Sequence, residues 1–188
     1  MQFDSFDLSW LLGKIRSGEQ PNYMFFWGHT GAHAGVIGKE CFSQWYPASF
    51  SVDGQMFPTA EHFMMARKAQ LFGDQEIYER ILVAAAPGEA KRLGRKVRGF
   101  KEQRWKEACL DIVVQGNLAK FEHNSALHGY LISTGDRVLV EASPVDKVWG
   151  IGLSSDDPRA SDPESWEGLN LLGFALMEVR RALNENRL

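Results

Sequence analysis

The chain has 188 residues, 21 Lys and Arg against 24 Asp and Glu, a net charge of -3 and 44% hydrophobic residues. That is the balance of a globular protein of one domain, long enough to bury a sizeable core, and it supplies no overall positive field to draw the chain to nucleic acid. No apolar run approaches a membrane span, and Met1 to Gly18 lack the positive-then-apolar pattern of a signal peptide. Only two cysteines occur, Cys41 and Cys109, far apart and without CxxC spacing. This argues against a disulfide framework or a zinc site and fits a reducing compartment, so a cytoplasmic protein is expected.

Residues 1–20 are expected to form an N-terminal extension, with a short helix over 8–16, and residues 21–188 the main domain. Tyr23 to Trp27 is a compact apolar run that predicts a buried strand, followed by a glycine-rich loop holding His29 and His33. Their spacing suits metal ligation only on a helix, so no metal site is expected there. Ser49–Val52 and Gln55–Phe57 flank Asp53-Gly54, a strong two-residue hairpin signal. Pro58-Thr59 supplies a stop and an N-cap for a helix from about Glu61 to Phe72.

A second helix is expected from Asp74 to Ala85, ended by Pro87-Gly88, and a third from Glu89 to Val97. Gln103 to Phe121 is the longest helix candidate, with Gly116 weakening its middle. Ala126–Ile132 reads as helix, Arg137–Glu141 as strand, and Leu169–Leu183 as a closing amphipathic helix. The sum is an α+β domain, predominantly helical, with a small sheet and a hairpin.

Chemistry is most legible in the helix after the hairpin. At 100° per residue, Glu61, Met65, Lys68 and Phe72 share one narrow stripe, with Met64 and Leu71 beside it. A carboxylate and an ammonium therefore occupy a face expected to be buried, where an unpaired charge costs several kcal/mol. A structural ion pair is the plain explanation, but seven residues of helix rise about 10 Å, long for direct contact. Separate partners, or a ligand lying between the two, fit better. Placement near a helix N-terminus suits the charge of Glu61 in any case.

Downstream, Asp146, Trp149, Gly150 and Gly152 combine a carboxylate, a stacking surface and backbone open to a flat ligand, although a tight loop around a core Trp has the same pattern. Trp45 is a second stacking candidate. The basic run from Lys91 to Lys106 reads as a solvated helix face or as a surface for phosphate. No P-loop, dinucleotide fingerprint or nucleophile elbow is present, and nothing visible calls for a cofactor.

The run Phe50-Ser51-Val52-Asp53-Gly54-Gln55-Met56-Phe57-Pro58-Thr59-Ala60-Glu61-His62-Phe63-Met64-Met65-Ala66-Arg67-Lys68-Ala69 resembles the signature of the NADAR, or YbiA-like, family. So do Leu93-Gly94-Arg95, Lys120-Phe121, Thr134-Gly135, Glu141-Ala142-Ser143-Pro144-Val145-Asp146 with Trp149-Gly150-Ile151-Gly152, and Gly168 to Gly173. In the family's order they cover roughly residues 22–183. The resemblance implies an α+β hydrolase of N-glycosides. Its members are associated with ribosylaminopyrimidine 5′-phosphates, unstable intermediates of riboflavin synthesis, and others with ADP-ribose on nucleobases.

By motif, the resemblance makes Glu61, Lys68, Asp146, Trp149 and Asn170 the expected pocket residues, with Arg95 a phosphate contact. Glu61 or Asp146 would stabilise positive charge on the sugar while the other orients water or protonates the leaving group. Lys68 would act as a point charge or, if desolvated, attack C1 as an amine. The expected partner is a small phosphorylated ribosyl compound. Nucleic acid enters only on the ADP-ribosyl-nucleobase reading, and a non-catalytic NAD or ADP-ribose binding module is the alternative outside enzymes. No membrane partner is expected, and the oligomeric state is left open.

Overall fold

The computed structural model describes residues 6–29 and 36–185, so His33 lies outside the described residues. Its centre is helix α2 (Ala60–Leu71), in which Ala60 through Ala66 and Ala69 are all buried. The single buried stripe drawn from the sequence is therefore too narrow. Ala60 to Ala66 are enclosed on every side, and the helix reaches solvent only beyond them, through Arg67, Lys68 and Gln70. Helices α3 (Gln75–Leu82), α4 (Pro87–Gly94) and α5 (Glu102–His123) pack around it.

Two glycines set how closely they approach. A Cβ on Gly94 would lie 2.1 Å from Met65 Sδ, and one on Gly116 would lie 2.5 Å from Phe63 Cδ1. Gly116 thus costs α5 some helix propensity but seats Phe63, and the 22-residue helix runs through it unbroken.

The start of α2 follows the sequence reading. Thr59 is its N-cap, and the preceding hairpin pairs β2 (Phe50–Val52) with β3 (Gln55–Phe57). Asp53 at φ 53° and Gly54 at φ 79° have the left-handed pair of conformations that a two-residue hairpin turn of matching twist requires. One expectation is corrected: Pro87 does not close α3 but opens α4 in its first turn, where a missing N–H is no loss. Helix α3 ends earlier, at Leu82, and is capped at its start by Asp74, which also binds the Arg98 guanidinium and backbone.

The second strand pair is parallel. Strand β1 (Tyr23–Phe26) lies beside β4 (Val138–Glu141), in a register that sets Phe26 opposite Glu141. The connection between them contains the hairpin and the helices α2 to α5, plus α6 (Ser125–Ser133). Helix α7 (Leu171–Glu185) covers β4 and α5. Helix α1 (Leu8–Arg16) forms where the sequence places it, with Leu11 fully buried in the core. Three short 3-10 turns, over 39–42, 158–161 and 163–165, have no periodic signal and were not expected. Among the described residues no helix is long and apolar enough to cross a membrane, and no group of His, Cys, Asp and Glu could hold a metal ion. Both cysteines are buried and free.

Candidate active site

The carboxyl end of the parallel pair is where the charged groups meet. Glu141, the last residue of β4, lies within electrostatic reach of Glu61 at the start of α2, of Asp146 in the following turn and of Lys91 on α4. The end of a parallel strand pair is a common place for a ligand crevice, because the chain leaves the sheet there in loops.

Glu61 is 2% exposed. Its backbone N–H donates to Gln44 O at 2.9 Å, which sets the helix start against the segment carrying Trp45. The Trp45 side chain in turn donates to the Glu61 carboxylate. Even so, Glu61 Oε1 and Glu141 Oε2 are both buried with no hydrogen-bond partner. Groups so placed do not ionise easily: burial pushes Glu61 up to about 7, with Lys91 and Arg95 opposing and Asp146 adding to the rise. Burial pushes Glu141 up to about 8, reinforced by Asp146 and Glu61 and opposed by Lys91. Both acids therefore hold a proton more readily than an exposed glutamate does.

Asp146 is tied differently. Its Oδ1 accepts from the backbone N–H of Val148 at 2.9 Å and of Trp149 at 2.8 Å, so the carboxylate shapes the turn that presents Trp149. Trp149 is half-buried and packs on the core by one side. Lys68 is half-buried, with Nζ 4.4 Å from the centre of the Phe100 ring and 5.3 Å from that of Trp105. Burial lowers its proton affinity, and the Arg95 charge lowers it further while Glu61 raises it. No ion pair joins Glu61 and Lys68 among the described residues, in keeping with the 10 Å argument from helix rise.

Two expected pocket residues stand behind the site instead. Asn170 is wholly buried, at φ 54°. Its Oδ1 accepts from Glu141 N at 2.9 Å and its Nδ2 donates to Leu139 O at 2.9 Å. An amide spent on the backbone of β4 has no face left for substrate; it fixes the position of Glu141. Gly150 is also buried, and a Cβ there would lie 2.8 Å from Glu141 O and 3.1 Å from Asp146 O. Its lack of a side chain lets two strands of backbone meet rather than opening a surface to a ligand.

Arg95 is exposed at the end of α4 and acts electrostatically on both Glu61 and Lys68. Trp45 is half-buried, its ring 5.6 Å from that of His29 and 5.9 Å from Lys91 Nζ. The basic run divides accordingly. Lys91 and Arg95 serve the acidic cluster, whereas Arg98 pairs with Asp74 and Lys106 with Glu102 away from it.

Sequence reasoning passed over two members of this cluster, Glu141 and Lys91. Lys91 precedes Arg95 by one helical turn, which was a usable signal. Lys120 is a third surprise, wholly buried, donating to Cys41 O at 2.6 Å and Ser43 O at 2.9 Å, and so bracing the segment that leads to Trp45.

A helix-rich α+β domain with a short parallel pair is an architecture shared with the NMR structure of the Escherichia coli protein YbiA, at a TM-score of 0.69 and 27% identity, covering 90% of this chain and 89% of that one. The model of the NADAR domain matches residues 25–184, and the chain belongs to the NADAR family. It is 41% identical over 167 residues to a protein of Acanthamoeba polyphaga mimivirus named N-glycosidase R617, spanning 86% of this chain and 96% of that protein. It is also 30% identical to the riboflavin biosynthesis protein VVA0006 of Vibrio vulnificus, over 99% of this chain but 44% of that longer protein.

Proposed function

We propose that this NADAR-family N-glycosidase hydrolyses the bond between C1 of a ribose and an amine nitrogen in a phosphate-bearing small molecule, with ribosylaminopyrimidine 5′-phosphates as the substrate class. The observation that carries the reading is the pairing of two carboxyls, the buried Glu61 and the half-buried Glu141 with its Oε2 enclosed, with Asp146 beside them and the cations Lys91, Arg95 and Lys68 around them. Departure of the amine leaves positive charge on the sugar ring, and a carboxylate held in a site of low polarity stabilises that charge far better than water-screened charge does. Glu61 takes this role. The cations supply the complementary end: an anion seated by Arg95 and Lys68 would set the ribose over the carboxyls.

Lys68 is read as a point charge, its ammonium set over the rings of Phe100 and Trp105. Trp149 and Trp45 provide faces for the departing ring. The names of the mimivirus and Vibrio relatives support the bond type and the metabolic setting respectively.

The test is product release by the wild-type protein from freshly generated ribosylaminopyrimidine 5′-phosphate and, separately, from ADP-ribosylated guanosine. Release of ribose 5-phosphate is expected to be the faster. Lys68→Met is expected to raise KM about tenfold or more for the phosphorylated riboside and to change little for its dephosphorylated form. Turnover of the ADP-ribosyl compound alone would move the substrate class to nucleobase adducts. Tight binding of either without turnover would reduce the chain to a binding module.

A further inference from the structure

The sequence singles out Glu61 and Asp146 as the acids of the site and gives Glu141 no part. We infer that Glu141 is the general acid of the reaction, the group that delivers the proton taken by the leaving nitrogen. The inference rests on the N-glycosidase reading above.

Three features of its placement carry it. Glu141 closes β4 where the chain turns into the site, and its backbone N–H is fixed by the buried Asn170 amide at 2.9 Å, so the side chain starts from a rigid point. Its Oε2 is buried without a hydrogen-bond partner, leaving a lone carboxyl oxygen free of structural duty. By contrast Asp146 spends Oδ1 on two backbone N–H groups. That oxygen is committed to holding the turn that presents Trp149.

The groups acting on Glu141 are Asp146 from the adjoining turn, Glu61 from α2 and Lys91 from α4. Burial, with two carboxyls against one ammonium, favours its neutral form.

As the C1–N bond breaks, its electron pair goes to nitrogen, and nitrogen takes the proton from Glu141. The ring oxygen shares the positive charge left at C1, opposite the Glu61 carboxylate. Water adds its oxygen to C1 and gives a proton to Glu61. Transfer of that proton from Glu61 to Glu141 resets both acids, with no other reactant consumed.

A general acid matters most when the leaving group is a poor one. The test compares wild type with Glu141→Gln on two substrates: ribosylaminopyrimidine 5′-phosphate, whose amine must be protonated, and 4-nitrophenyl riboside 5-phosphate, whose phenolate leaves unaided. A loss of about 10²–10⁴-fold in kcat is expected on the first, with less than about tenfold on the second. The alkaline limb of the pH profile is expected to vanish with it.

Equal loss on both substrates, or full activity on the first, overturns the assignment. Failure of the wild type on ribosylaminopyrimidine 5′-phosphate removes the proposed substrate class, and the assignment falls with it; failure on the nitrophenyl compound alone passes the decision to the NMR measurement below. Should Glu141→Gln melt too low to assay, carbon-13 NMR of the glutamate carboxyls in the wild type decides the matter. A glutamate still protonated at pH 7 whose signal persists in Glu61→Gln supports the assignment, and all glutamates other than Glu61 ionised by about pH 6 overturns it.

Discussion

Replacing Glu61 by Gln raises the melting temperature at about pH 8.5 and leaves it nearly unchanged at about pH 5. Burial holds the folded Glu61 carboxyl up to about 7, above its value in an unfolded chain. Between the ordinary carboxylate range and pH 7 the folded state therefore binds more protons than the unfolded state, so stability falls as pH rises. The contribution is fully present below the unfolded value, is lost through that window and is absent above it. Its size is on the order of 3 kcal/mol, since each unit of difference is worth about 1.4 kcal/mol.

Gln keeps the shape and never ionises, so it escapes the loss. For a chain of this length the gain corresponds to roughly 6–12 °C at alkaline pH. Thermal melts of both proteins across pH check it, and a difference independent of pH would remove the buried-carboxyl account. A residue that costs stability where it sits is the pattern expected of a site kept for function.

The second large effect is expected at Gly173 in the first turn of α7. A Cβ there would lie 2.1 Å from Leu139 O and 2.5 Å from Asn170 Nδ2. Neither partner can yield. The carbonyl belongs to β4, and the Asn170 amide is bonded to both Leu139 and Glu141. Gly173→Ala must push α7 off the strand, at a cost of about 3 kcal/mol or more, or roughly 6–12 °C in Tm.

The same displacement unseats Glu141, so activity is expected to fall further than the loss of folded protein explains. Gly129 in α6 provides the control. A Cβ there meets nothing within 4 Å, and Gly129→Ala is expected to raise Tm slightly through helix propensity. Melts and specific activities of the two variants, side by side, check both statements. A Gly173→Ala protein as stable and active as wild type would show that α7 can retreat without consequence.

Much of this architecture is legible in the chain because the signals are local. Asp53-Gly54 announces its hairpin, Thr59 its helix cap, and the Glu61–Lys68 spacing the absence of a direct pair. What the chain conceals is set by packing at a distance. Glu141 reads as the polar end of a short apolar strand, and only the meeting of β4 with α2, eighty residues earlier in the chain, makes it a partner for Glu61.

Asn170 illustrates the converse. Its type suits a ligand contact, yet its left-handed backbone and full burial turn the amide onto β4. Gly116 looks like a flaw in α5 until Phe63 is seen against it, and Gly150 looks like an opening until the backbone of Glu141 and Asp146 is seen to fill it. Pro87 carries equal information for a helix ending and a helix beginning, and the sequence around it does not choose between them.

Under the proposed mechanism a buried carboxyl at Glu61 drives cleavage of a ribosyl C–N bond. The most direct measurement is kcat of Glu61→Gln against wild type on ribosylaminopyrimidine 5′-phosphate near pH 7.5, with both proteins folded by near-ultraviolet circular dichroism. The predicted result is a fall of about 10³-fold or more, because the amide cannot stabilise the cationic sugar as a carboxylate does. Activity of Glu61→Gln within about tenfold of wild type would contradict the claim.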